Sequence, residues 1–273
     1  VRAGIRQKLI DSIPELKDCY EPTIPGKDTP KPYAVILQGS DDEQNNPTNF
    51  KRSIEVWLYE KRTTFQKLDV LSEKVIKALD LEMIEDVNTK ETFTCMFNGA
   101  IGQDIIDEEW NALSRGLQFS VIALHGEEET TGDTWVEALS SYTEDITNIK
   151  VYRDYWKKNF LVPSVLWRTS NTSRERINGA LIKENKTLVC HVVDRNKGSI
   201  EKILDTIENS LIKDLKIPLD LADRRYLTIE SIHEDREADM LGAGQLTIEI
   251  SRRKMIQDNT PTIDKIYSRG NIE

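Results

Sequence analysis

The sequence predicts an α/β chain of the α+β type, built as two tandem copies of a small mixed-sheet domain packed with helices. Three observations carry this. Strict alternation puts Ile54, Val56 and Leu58 on one strand face and Leu188, Cys190 and Val192 on another 134 positions later (54 to 188), the period of a strand with one buried side. An apolar stripe at helical spacing follows each strand: Leu68, Leu71, Val75, Ile76 and Leu79, then Leu204, Ile207, Leu211, Ile212 and Leu215. The other elements recur around these in one order. A repeat this long is a duplicated domain, because solenoid periods run roughly 20–50 residues.

Each copy opens with a helix, on which Ile5, Leu9, Ile13 and Leu16, or Trp135, Leu139, Tyr142 and Ile146, share a face. A proline then leads into a short apolar strand, residues 32–37 in the first copy and 163–167 in the second. A long polar loop separates it from the alternating strand, which ends in Glu60-Lys61 or Asp194-Arg195 before the long helix. Two strands close each copy, residues 92–96 against 226–230 and 118–121 against 245–248. Capping-box spacings, Thr63 to Gln66 and Thr134 to Glu137, start two of the helices. The expected division is a first domain at 1–125, an acidic linker at 126–133, a second domain at 134–255 and a C-terminal arm at 256–273, where Pro261 and scattered charges leave little periodicity.

With 273 residues the chain can bury two cores of ordinary size. No apolar run approaches the ~18 residues of a membrane helix, and the first eight residues lack the apolar core of a signal peptide. Three separated cysteines, Cys19, Cys95 and Cys190, read as structural thiols in a reduced, cytoplasmic setting. The net charge of −10 falls entirely in residues 1–133, which hold 15 Lys plus Arg against 25 Asp plus Glu, while the remainder holds 22 of each. Such acidity excludes tight phosphate-driven nucleic-acid binding. It also implies that the two copies face different neighbours.

Catalytic chemistry has little to stand on. His125 lies in the linker, His191 alternates out of an apolar strand, and His233 belongs to an acidic loop. Gly242-Ala243-Gly244 lacks the third glycine of a dinucleotide fingerprint and precedes a strand, where the fingerprint must open a helix. No phosphate loop, nucleophile elbow or paired-cysteine motif is present. The expectation is therefore no catalytic residue, no cofactor and no metal. Two acidic loops at equivalent places, Asp104, Asp107, Glu108 and Glu109 in one and Glu234, Asp235, Glu237 and Asp239 in the other, lack the ligand spacing of a calcium loop and share a physical role instead. The loop after the first strand is acidic in one copy, Asp41, Asp42 and Glu43, and basic in the other, Arg168, Arg174 and Arg176. Opposite charge at equivalent places suits an interface between copies or neighbouring chains.

Residues 32–37, the strand at 53–59 with its helix at 65–79, and the closing strand at 116–121, each with a counterpart in the second copy, resemble the tail-terminator proteins of tailed bacteriophages, also called tail-completion or minor tail proteins. Family members usually carry one such domain, so the duplication departs from the pattern. The resemblance implies a structural virion protein of the tail-neck region, assembled in the host cytoplasm. It would cap the tail tube as a ring, stop polymerisation and join tail to head connector, with the sheath as a further neighbour. The acidic loops would line a lumen and let DNA pass without specific binding. The unequal charge of the copies favours a hexamer of whole chains over three chains forming a pseudo-hexamer. The alternatives are a scaffold or baseplate-type adaptor, and a metal-dependent enzyme using the acidic loops.

Overall fold

A computed structural model describes residues 1–42, 51–122, 132–238 and 240–255. The first half runs α1 (Arg2–Ser12), β1 (Cys19–Tyr20), β2 (Tyr33–Asp42), β3 (Lys51–Lys61), α2 (Phe65–Leu79), β4 (Met83–Glu85), β5 (Thr92–Asp107) and β6 (Ala112–Ile122). The second half repeats that order as α3 (Thr134–Thr147), β7 (Val151–Arg153), β8 (Ser164–Arg176), β9 (Leu181–Val193), α4 (Lys197–Asp214), β10 (Lys216–Asp220), β11 (Arg225–Glu234) and β12 (Leu246–Met255). One sheet has the order β1-β2-β3-β6-β5-β4 and the other β7-β8-β9-β12-β11-β10, so the two strand orders are the same. In each sheet the first strand is parallel to the second, and the remaining neighbours are antiparallel. The proline before β2 and the one before β8 both follow cis peptide bonds. The chain is thus an α+β fold of two similar sheet domains in tandem.

Strand register identifies the equivalent residues. Leu58 faces Ala34 as Val192 faces Val165, and Ile54 faces Phe119 as Leu188 faces Ile248. The last strands are therefore offset by 129 (119 to 248). Matching Gln118 with Gln245 is two residues out, and its true counterpart is Thr247. A two-residue slip preserves the buried face, so alternation alone cannot detect it.

Both helices of each half pack on one face of its sheet. Ile5 and Leu9 of α1 and Leu68, Leu71, Val75 and Leu79 of α2 meet Ile54, Val56, Leu58, Leu117 and Phe119. Trp135 and Leu139 of α3 and Ile203, Leu204, Ile207 and Leu211 of α4 meet Leu188, Cys190, Val192, Ile248 and Ile250. Ile13 and Leu16 are buried but lie beyond the end of α1. The expected stripe of α4 ends early: Ile212 is 54% exposed and Leu215 60%.

Several local expectations need correction. Residues 168–176 are not a loop but the outer part of β8, paired through Arg176 with β9. Residues 98–107 likewise belong to β5, interrupted by register shifts between Phe97 and Gly99 and between Ile101 and Ile105. The cap of α3 is Asp133, whose side chain accepts from Trp135 N–H, and not Thr134; Thr64 precedes α2 without a side-chain cap. Asp133, expected in the linker, is thus part of the second domain, while residues 123–131 and the arm at 256–273 lie outside the described residues.

The domains meet in a third apolar cluster. The first contributes Leu81 and Ile122, with Met96 packed alongside; the second contributes Tyr152, Trp156, Phe160, Leu166, Val193 and Leu241. At its rim Arg195 donates to Leu81 O at 3.2 Å and to Glu82 at 2.6 Å. Burying several large apolar side chains at ~1.5–3 kcal/mol each makes this seam a stable joint.

Candidate functional site

The sequence offers two kinds of candidate surface, the oppositely charged ribbons and the acidic turns. In the first ribbon Asp41 near the end of β2 accepts two hydrogen bonds of 2.7 Å from Arg52 on β3. That bidentate pairing holds the Asp41 carboxyl below its usual range. Asp42 ends β2, and Glu43 lies outside the described residues. In the second ribbon Arg174 pairs with Glu184 on β9 at 2.6 Å, and Arg176 donates to Asn178 O and Gly179 O at the hairpin turn. Arg168 points elsewhere. Its Nε donates to His191 Nε2 at 2.9 Å, whose Nδ1 lies 2.7 Å from Met240 O, so Nδ1 is the protonated nitrogen of a neutral ring. Burial lowers the Arg168 pKa. Among the described residues no ion pair joins Asp41 to Arg168, Arg174 or Arg176; Asp41 and Arg174 each pair within their own sheet.

The acidic turns are also internally engaged. Asp104 accepts from Arg115 Nε at 2.7 Å and Nη2 at 2.6 Å, which lowers its pKa, and Arg115 reaches Asp69 at 2.8 Å as well. Asp107 accepts from Trp110 N–H at 2.8 Å, and Glu108 lies 3.5 Å from Arg62. Glu109 is exposed. In the second domain Arg236 bridges Asp205 at 2.5 Å and Glu234 at 2.8 Å. Asp205, Glu208 and Glu234 stand close enough together to ligate one cation, yet the guanidinium already pairs with Asp205 and Glu234 of that group. Asp235 accepts from Glu237 N–H, Glu237 itself is exposed, and Asp239 lies outside the described residues. The structure does not bring the two acidic turns together into one site; each sits on its own sheet.

Two surfaces escape sequence reading. On the helix-free side of the first sheet Tyr33 stacks on Tyr59 at 4.9 Å between centroids, with Tyr20 edge-on to Tyr33 and Trp110 tilted against Tyr59. Burial raises the Tyr33 and Tyr59 pKa values, reinforced by the nearby Asp107 charge. On the corresponding side of the second sheet a cleft of about 460 Å³ is lined by Lys183, Arg224, Arg225, Tyr226, Arg252 and Arg253, with Glu230 as its lone carboxylate among the described residues. Lys183 pairs with Glu230 at 2.8 Å and Arg225 with Asp223 at 2.6 Å, whereas Arg224 and Arg252 form no ion pair among the described residues. The scattering of these cations over β9, β11 and β12 hides the cleft from a linear reading. Among the described residues no helix is long and apolar enough to cross a membrane. Compared with protein-family models and with curated protein sequences, the chain matches none.

Proposed function

We propose that the chain is a structural virion protein of a tailed bacteriophage, one that caps the tail tube as a ring, ends its polymerisation and seats the head connector. The observation that supports this reading is the tandem pair of sheets with one strand order, fastened by an apolar seam. A chain that carries the same frame twice in a fixed joint is suited to be an assembly unit, because repeated frames supply repeated contacts. Its partners are further copies of itself, the tail tube protein and a connector or neck protein, with the sheath as a further neighbour in a contractile tail. Exposed Glu108 and Glu109 would repel DNA phosphate in the lumen. The protein works by binding, in the tail-neck region of the virion, after assembly in the host cytoplasm.

A metal-dependent enzyme is the weaker reading, since Arg115 and Arg236 hold carboxylates that a cation would need. A scaffold or baseplate-type adaptor shares the ring but takes other partners. Adding the purified chain to polymerising tail tube protein tests the proposal: tubes of uniform length, each closed at one end, are expected. Tubes that lengthen without limit and never carry the chain would overturn it.

A further inference from the structure

The joint between the domains is heterologous. The first domain presents Leu81, Met96 and Ile122, and the second presents Tyr152, Leu166 and Val193 from different strands. Two similar domains joined through unlike surfaces leave one surface of each kind unused. Strand register finds both. Leu81 and Leu215 each stand just past a long helix with a left-handed backbone, at φ 53° and 56°, beside equivalent strand residues: Leu81 N–H donates to Cys95 O, whereas Leu215 O accepts from Ile229 N–H. Leu81 is 6% exposed in the seam; Leu215 is 60% exposed. The counterpart of Ile122 is Ser251 and that of Met96 falls at the bulge of Glu230 and Ser231; Ser251 and Glu230 line the basic cleft beside half-exposed Tyr226. On the first domain the counterparts of Tyr152, Leu166 and Val193 are Tyr20, Val35 and Tyr59, and both tyrosines belong to the aromatic cluster. Four residues beyond Tyr152 comes buried Trp156; four beyond Tyr20 comes Ile24, 65% exposed.

Resting on the ring reading above, we propose that the occupant of the basic cleft and of Leu215 is the aromatic face of the first domain of a second copy. The contact inside the chain then recurs between chains, head to tail, and the two domains alternate around the ring. Charge supports this occupant: exposed Glu21 and Asp28 flank Ile24, Asp107 lies near Tyr33 and Tyr59, and the cleft offers Arg224, Arg225 and Arg253. Six domain positions would then be filled by three chains, in place of the six-chain ring expected from the unequal charge.

The two contacts differ at one place. The seam pairs Arg195 with Glu82, the residue after Leu81. The counterpart of Arg195 is Lys61, while Lys216, the residue after Leu215, matches Met83 in strand register, so the contact between chains offers two basic residues and no match for Glu82 where the seam has an ion pair. This makes the chain-to-chain contact weaker than the seam and adjustable by charge.

Sedimentation or native mass spectrometry of the full chain over a concentration series tests the proposal. Leu215→Asp is expected to weaken self-association at least ~10-fold, given the apolar area lost. Lys216→Glu is expected to strengthen it about 3-fold, and adding Lys61→Glu to that variant should cancel the gain. Both Leu215 and Lys216 are exposed, so the monomer folds in each variant, which circular dichroism checks. Rings indifferent to Leu215→Asp and Lys216→Glu would overturn this contact and leave the ring reading standing. A wild-type chain that stays monomeric at every concentration, whether or not the cleft takes a single-stranded oligonucleotide, would overturn both.

Discussion

Replacing Asp133 tests how the second domain is closed. One oxygen of its carboxylate caps α3 by accepting from Trp135 N–H at 3.0 Å, and the other accepts from Thr169 Oγ1 at 2.8 Å. Lys186 Nζ lies 2.7 Å from both oxygens and 5.0 Å from the centre of the Trp135 ring. Side-chain exposures of 19% for Asp133 and 14% for Lys186 place this pair between surface and interior. Loss of the cap costs about 1 kcal/mol. Loss of the pair adds ~2 kcal/mol, between the ~0.2–1 of exposed pairs and the ~3–5 of buried ones. Asp133→Ala should therefore destabilise the second domain by ~3 kcal/mol, and Asp133→Asn, which keeps a capping oxygen, by roughly half of that. Urea unfolding followed by tryptophan fluorescence reads the effect, because Trp135, Trp156 and Trp167 are all buried in the second domain. Burial alone would raise the Asp133 pKa, but the hydrogen bonds from Lys186, Thr169 and Trp135 N–H outweigh it and lower the value. A lowered folded pKa means stability that is present above the unfolded value of ~3.9 and lost as pH falls through the folded one. That acid-side loss should vanish in Asp133→Asn. An Asp133→Ala protein within ~0.5 kcal/mol of wild type would mean that neither the cap nor the ion pair holds the domain closed, since that is the range of surface changes away from such features.

Gly116→Ala should destabilise the first domain by ~1–3 kcal/mol in urea unfolding, because a Cβ would sit 2.9 Å from the Trp57 ring and 3.0 Å from Ile101. All three thiols should ignore a thiol reagent at pH 8 in the folded protein and react on unfolding: burial pushes Cys19 up to about 12 and raises Cys95 and Cys190 as well. Manganese should leave the wild-type melting temperature unchanged, and Arg236→Ala, by freeing Asp205 and Glu234, should introduce a metal-dependent rise.

The duplication was legible because each sheet has one buried face. Ile54, Val56 and Leu58, and likewise Leu188, Cys190 and Val192, alternate against that core, and α2 and α4 return the helical period. The outer half of β8 was not legible for the same reason inverted: residues 170–176 are exposed on both faces, so no apolar period marks the strand. The bulged part of β5 around residues 99–105 failed similarly. Trp156 and Phe160 stood in the sequence as an unexplained aromatic pair between strands; an apolar pair in a connecting segment is the one signal that could have announced the seam. The basic cleft gave none, since Lys183, Arg224 and Arg253 are brought together only by sheet order. The carboxylates of both acidic turns stand out in the sequence, while their arginine partners, Arg115 on β6 and Arg236 two residues beyond Glu234, become visible only in three dimensions.

The proposed function requires this chain to form a ring on the end of a tail tube. Negative-stain imaging of the purified chain, alone and mixed with tail tubes, tests it most directly. Closed rings in solution and one ring seated on a single end of each tube are expected. Dispersed single particles that leave both tube ends bare would contradict it.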